Sequence, residues 1–103
     1  MDYKVEHSAA ASRDLDGITH YITYTLKNPA AADNLLKDYA AKLDNMRKNP
    51  RIYPLPHIKR FADKGYRKIG FGNYIAFFTV DEAKYKVYII RILYQKQDYM
   101  NFL

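Results

Sequence analysis

Two arginines stand inside otherwise apolar stretches in the C-terminal half of the chain. Arg67 lies within residues 65–71, and Arg91 lies within residues 85–94. Burying an unpartnered guanidinium is costly, so each arginine must reach water or a partner. One interpretation is that both are ordinary ion-paired residues at a sheet edge. The other is that they share a face that binds phosphate, and the choice depends on a strand register that the sequence does not fix.

Two tyrosines near the end of the chain are the other candidates for chemistry. Tyr94 and Tyr99 lie beside basic side chains where the last apolar stretch ends. A phenol in that setting can transfer a proton or stack on a nucleobase, and simple packing is the alternative. The histidines lack the spacing of metal ligands, so no metal and no cofactor are expected.

The elements that must position these residues follow from the hydrophobic pattern. Three runs rich in aromatic and β-branched residues, with turns at Gly72-Asn73 and at residues 81–84, predict a three-stranded antiparallel meander. Residues 3–7 alternate as a short strand, and two helices, from 9 to about 26 and from 29 to about 48, predict a helical hairpin. The predicted class is α+β, with one domain over residues 1–103, one small sheet and a short C-terminal helix or tail.

Strand alternation makes a more specific prediction about faces. Along the last strand it places Val87, Ile89, Arg91 and Leu93 on one side of the sheet. The hypothesis that Arg67 and Arg91 share a phosphate-binding face requires Arg67 to point to the same side of the sheet as Arg91.

Charge is concentrated in the second half of the chain. The net charge is +6, and residues 57–103 carry nine Lys and Arg against four Asp and Glu, whereas residues 1–56 carry eight against seven. Such a field attracts phosphate polyanions or an acidic protein. The chain has no cysteine and no apolar run long enough to span a bilayer, so we expect a cytoplasmic protein without a membrane partner.

The order and spacing of short motifs along the whole chain resemble the RelE/ParE superfamily of bacterial type II toxins. The motifs are Ser8, Arg13-Asp14-Leu15, Ile18, Tyr21-Ile22, Asn28-Pro29-Ala30-Ala31, Asn49-Pro50, Gly65-Tyr66-Arg67-Lys68-Ile69, Asn73-Tyr74-Ile75, Val80-Asp81 and Ile90-Arg91-Ile92-Leu93-Tyr94-Gln95-Lys96-Gln97-Asp98. The resemblance implies a helical hairpin packed on a small antiparallel sheet. It also implies an antitoxin partner, which we expect to be acidic or amphipathic.

The superfamily implies two different activities, and the first of them, cleavage of ribosome-bound mRNA, is the function that we predict from the sequence. RelE-like members cleave ribosome-bound mRNA without a metal; here Arg67 and Arg91 would hold the phosphate, and Tyr94 or Tyr99 would transfer a proton. The RNA backbone would be held by Lys59, Arg60, Lys64, Lys68 and Lys96. ParE-like members instead bind DNA gyrase and need no catalytic set. Ile75 stands where the RNases usually carry an arginine, which favours the second activity. A third possibility is an inactive homologue that retains antitoxin binding.

Overall fold

A computed structural model describes residues 2–97 and 103, and it confirms the α+β class. Its elements are β1 (Lys4–His7), α1 (Ala9–His20) continuing into a π-helical turn (Tyr21–Thr25), α2 (Pro29–Met46), a 3₁₀ turn (Pro50–Ile52), α3 (Lys59–Asp63), β2 (Arg67–Phe71), β3 (Tyr74–Asp81) and β4 (Lys86–Tyr94). Tyr99 and most of the predicted C-terminal helix lie outside the described residues.

The four strands form one sheet in the order β1-β4-β3-β2. The last three strands are the predicted antiparallel meander, and β1 pairs in parallel with β4. At the β2–β3 turn, Gly72 has a φ of +54°, and a Cβ there would approach Leu35 Cδ1 to 2.7 Å. The positive φ of the turn therefore favours glycine, and any larger residue would also have to displace the Leu35 side chain of α2.

Side-chain caps fix where the helices begin. The Ser8 Oγ accepts a hydrogen bond from the Ala11 amide (2.9 Å) and donates one to the Ile90 carbonyl (2.7 Å). Asn28 caps α2 by accepting from the Ala31 amide at 3.1 Å, and Pro29 follows at the first helical position. Ser8 thus starts α1 and also attaches it to β4, which places the helix beside the end of that strand.

The core lies between the helices and one face of the sheet. Its buried residues are Ala11, Tyr39, Met46, Ile69, Phe71, Ala76, Phe78, Val87, Ile89 and Ile92. Tyr39 of α2 stacks on Phe71 with 4.4 Å between ring centroids, and its hydroxyl pairs with His7 Nε2 at 2.7 Å. Burial raises the pKa of Tyr39 and lowers the pKa of His7. The His7–Tyr39 contact at the edge of this cluster therefore joins two largely neutral groups.

A β-bulge in β4 changes which side chains face the helices. Phe77 pairs with Arg91 while its neighbour Phe78 pairs with Ile89, so Ile90 is an extra residue without an opposite partner on β3. One extra residue inverts the alternation of everything beyond it. Val87 and Ile89 face the helices, but so do Ile92 and Tyr94, which pair with Ala76 and Tyr74. The prediction that Val87, Ile89, Arg91 and Leu93 share one face is wrong for this reason.

Candidate functional site

Arg67 is hydrogen-bonded to the 3₁₀ turn and to the start of the loop that follows it. Its Nη1 donates to the carbonyl oxygen of Tyr53 and, at 3.4 Å, to that of Arg51. Its cross-strand partner is Phe78, a member of the core, so Arg67 begins β2 on the helix side of the sheet. These contacts tie the loop to β2. Both acceptors are neutral carbonyl groups, so these hydrogen bonds do not cancel the positive charge of Arg67.

Arg91 has a different partner. Its Nε donates to Asp14 Oδ2 at 2.7 Å and its Nη2 donates to Asp14 Oδ1 at 3.0 Å, while the Ile92 amide donates to the same Oδ2 at 2.9 Å. The bidentate bond raises the pKa of Arg91 further above its ordinary value. One carboxylate of α1 therefore cancels the charge of Arg91 and also satisfies the edge of β4 beyond the end of β1.

The two arginines do not converge on one patch. Arg67 pairs with Phe78 and Arg91 pairs with Phe77, and adjacent residues of a strand point to opposite faces. Tyr94 is also remote from Arg67, because it lies in the cross-strand row that ends at Phe71, about 13 Å further along β2. The expected shared face is therefore wrong, whereas a role for each residue alone stays a prediction.

The predicted RNA-binding cations are spread over two ends of the sheet. Lys59 and Lys64 flank the α3 region, where Lys59 Nζ lies 3.3 Å from Asp63 Oδ2 and Lys64 Nζ lies 5.8 Å from the Tyr66 ring centroid. The remaining three are Arg60, over the Phe61 ring at 5.0 Å, Lys68, exposed on β2, and Lys96, exposed just after β4. The first four precede or begin β2, and Lys96 follows the opposite end of the meander.

An open groove of about 410 Å³ lies between α1 and the end of β4. Its lining residues are Arg13, Asp14, Gly17, Ile18, Tyr21, Tyr74, Arg91, Ile92, Leu93, Tyr94 and Gln97. Arg13, Gly17 and Tyr21 follow one another at four-residue steps and so form one face of the helix. The groove exists because Ser8 and Asp14 hold α1 against β4.

Three tyrosines, Tyr21, Tyr74 and Tyr94, make the lining of the groove largely aromatic. The Tyr74 and Tyr94 rings meet edge to face with 5.8 Å between centroids, and the side chains of Tyr21 and Tyr94 are 50% and 40% exposed. Burial, and then the neighbouring phenols of Tyr94 and Tyr21, raise the pKa of Tyr74. Sequence reasoning found Tyr94 and missed Arg13, Gly17, Tyr21 and Tyr74. The four-residue spacing on α1 was the available signal, but its opposite wall is set by tertiary contact.

Two further observations concern residues 2–97 and 103 alone. Within that part of the chain, no group of three or more histidine or acidic side chains is arranged to hold a metal ion. None of the helices described there combines the length and the apolar character needed to cross a bilayer.

The fold is that of a small α+β domain, and sequence comparison identifies its family. Residues 5–99 match the family described as the ParE toxin of type II toxin–antitoxin systems, parDE. Because this match spans most of the chain, the protein belongs to that family, within the RelE/ParE superfamily, and is a toxin of a type II toxin–antitoxin system. A search of curated proteins finds no match.

Solved structures with the same fold come from both branches of the superfamily. The RelBE2 toxin–antitoxin complex of Mycobacterium tuberculosis is similar, with a TM-score of 0.63 and 18% identity, covering 91% of this chain and 99% of that one. A chromosomal ParDE system from P. aeruginosa gives a TM-score of 0.67 and 20% identity, covering 89% and 95%. At these identities the likeness establishes the fold alone.

Proposed function

We propose that this toxin arrests growth by binding DNA gyrase and not by cutting RNA. The observation that carries the proposal is the separation of Arg67 and Arg91 on opposite faces of the sheet. Metal-free cleavage at a 2′-hydroxyl needs cationic groups that converge on one phosphate, since they must stabilise the charge that develops there. Here one arginine holds a loop and the other holds a carboxylate.

Ile75 and the family match support the same proposal. Ile75 is partly buried and pairs with Leu93 on β4 and Gly70 on β2, so the position is part of an apolar row. An isoleucine supplies neither charge nor a hydrogen bond to a phosphate. The RNases of the superfamily usually carry an arginine at this point, and the chain belongs to the branch named for ParE.

An antitoxin is the second partner that we propose. Both similar structures are described as toxin–antitoxin systems. Residues 57–68 carry five Lys and Arg against one Asp, which is the most strongly basic stretch of the chain. An acidic or amphipathic segment of the antitoxin would bind there, because opposite charge both steers and holds the encounter.

Ribosome-dependent mRNA cleavage is the second candidate function, and one observation favours it. The exposed Tyr94 phenol lines the same groove as Arg13 and Arg91, so a proton-transfer group and two guanidinium groups border one concave surface. In that case Tyr94 or Tyr99 would move the proton, and Lys59, Arg60, Lys64, Lys68 and Lys96 would hold the RNA.

The incorporation of labelled precursors separates the candidates. After induced expression in cells, we expect thymidine incorporation to fall and DNA damage to appear while amino-acid incorporation continues. Immediate arrest of amino-acid incorporation would contradict the proposal and support RNA cleavage, and normal growth would indicate an inactive homologue.

A further inference from the structure

Gly17 is a helix residue that nothing in the described fold explains. It lies inside α1, is exposed, has a helical backbone and would meet no atom of the described residues within 4 Å if it carried a Cβ. Glycine destabilises a helix interior relative to alanine, because it loses more backbone freedom on folding. Neither a turn nor a close contact among the described residues therefore requires glycine here, and the missing side chain leaves space in the groove.

The groove around Gly17 has the shape and lining of a docking site for a protruding segment. Arg13 and Tyr21 stand one helical turn to either side of Gly17 on the same face. Tyr74 and Tyr94 form the facing wall, with their rings edge to face. A side chain at position 17 would stand between these two walls, so a partner can approach the helix backbone only because none is present.

We infer that this groove binds a protruding segment of the gyrase protein, with an apolar or aromatic side chain inserted between Tyr21 and Tyr94 and an acidic side chain on Arg13. This inference rests on the proposed function, and it identifies the groove as the surface of the toxin that contacts gyrase. Tyrosine and arginine are the residue types that most often carry binding energy at protein interfaces. Tyr21 and Tyr94 are about half exposed, so both have apolar area left to bury.

Charge assigns the groove to the target and not to an acidic antitoxin. The charged lining residues are Arg13, Asp14 and Arg91, and the last two cancel through their bidentate bond, which leaves one positive charge. Residues 57–68 hold five cations against one acid. A strongly acidic segment is attracted to that stretch, whereas the groove, rich in phenols and nearly neutral, fits an uncharged anchor with one acidic neighbour.

Increasing bulk at Gly17 tests the inference with the full chain. We expect Gly17→Ala to weaken the inhibition of gyrase supercoiling about two-fold and Gly17→Trp to weaken it about 30-fold, because the larger side chain fills more of the groove. The matched control is Ser12→Trp, which places the same ring at an exposed position of α1 outside the groove. All three variants should still bind the antitoxin, which we take to be the protein encoded by the adjacent reading frame.

The outcomes separate this inference from the function on which it rests. If the natural protein inhibits gyrase and Gly17→Trp inhibits it equally well, the groove assignment is overturned and the function stands. Loss of antitoxin binding with unchanged gyrase inhibition would also overturn it and give the groove to the antitoxin. A natural protein without effect on gyrase would refute the proposed function first. Should Gly17→Trp fail to fold, Arg13→Glu is the second variant, with about ten-fold weaker inhibition expected.

Discussion

Arg91 and Arg67 belong to the same small sheet, but Arg91 pairs with a carboxylate and Arg67 pairs with neutral carbonyl groups. Arg91 gives its guanidinium to the carboxylate of Asp14, so the α1 end of the sheet carries little net charge. Arg67 gives its guanidinium to backbone carbonyls, so the α3 end keeps its positive charge. The difference separates a nearly neutral groove from a basic surface. Two partners of different chemistry can therefore be held by different parts of one domain.

Breaking the Asp14 contact is expected to have the largest effect. Asp14→Ala leaves a partly buried guanidinium and the Ile92 amide without their acceptor, which should cost about 3 kcal/mol of the free energy of unfolding. Urea denaturation measures this. Asp14→Asn, which can still accept from the Ile92 amide, is the control and should lose less. A loss below about 1 kcal/mol for Asp14→Ala would show that the bidentate pair is not what holds α1 on β4.

Arg67→Ala should lower the free energy of unfolding by less than Asp14→Ala does, and its effect should fall on a different part of the structure. It removes hydrogen bonds to two carbonyls of the loop, which we expect to cost about 1 kcal/mol and to loosen residues 50–57 more than the core. Hydrogen exchange would show faster exchange in the loop with protection in β3 and β4 unchanged. Uniformly faster exchange over the whole chain would mean that Arg67 supports the fold itself.

The His7–Tyr39 pair lies at neither the α1 end nor the α3 end of the sheet. It predicts that the free energy of unfolding depends modestly on pH. Because burial lowers the pKa of His7 from 6.5, the unfolded chain takes up a proton at a pH where the folded protein does not. The free energy of unfolding should therefore fall as the pH drops below 6.5 toward the folded pKa. His7→Gln should flatten that slope, and His57→Gln, at an exposed loop position, is the control. An unchanged slope in His7→Gln would assign the dependence to other groups.

Gly17→Ala should give the smallest change, and in the stabilising direction. It adds a methyl group to an open helix face and should raise the free energy of unfolding by about 0.5–1 kcal/mol. Thermal unfolding followed by circular dichroism would detect it. Destabilisation would mean that Gly17 serves the fold, and the case for a groove kept open for a partner would then fail.

The fold was predictable where local chemistry decides it. Helix starts followed from Ser8 and from Asn28-Pro29, and the β2–β3 turn followed from Gly72-Asn73, because caps and turns depend on neighbouring residues. The bulge at Ile90 was not predictable, since no residue type marks it, and it alone reverses the direction of Arg91.

The candidate site was predictable only in part. Tyr94 was recognisable from its place beside basic residues at a strand end. The opposite wall of the groove comes from α1, and its position depends on the Asp14 carboxylate reaching the β4 edge at Ile92, 78 residues later in the chain. Single-strand periodicity contains no information about such a contact, so Arg13, Gly17 and Tyr21 could be placed there only by the tertiary structure.

The supercoiling assay with purified gyrase, run beside a translating ribosome preparation, tests the central claim most directly. We predict that the natural protein blocks the introduction of supercoils at a concentration that leaves ribosome-bound mRNA intact. Unimpaired supercoiling together with ribosome-dependent cleavage of mRNA would contradict the account, and would mean that Arg91 and Tyr94 act on RNA from within the groove.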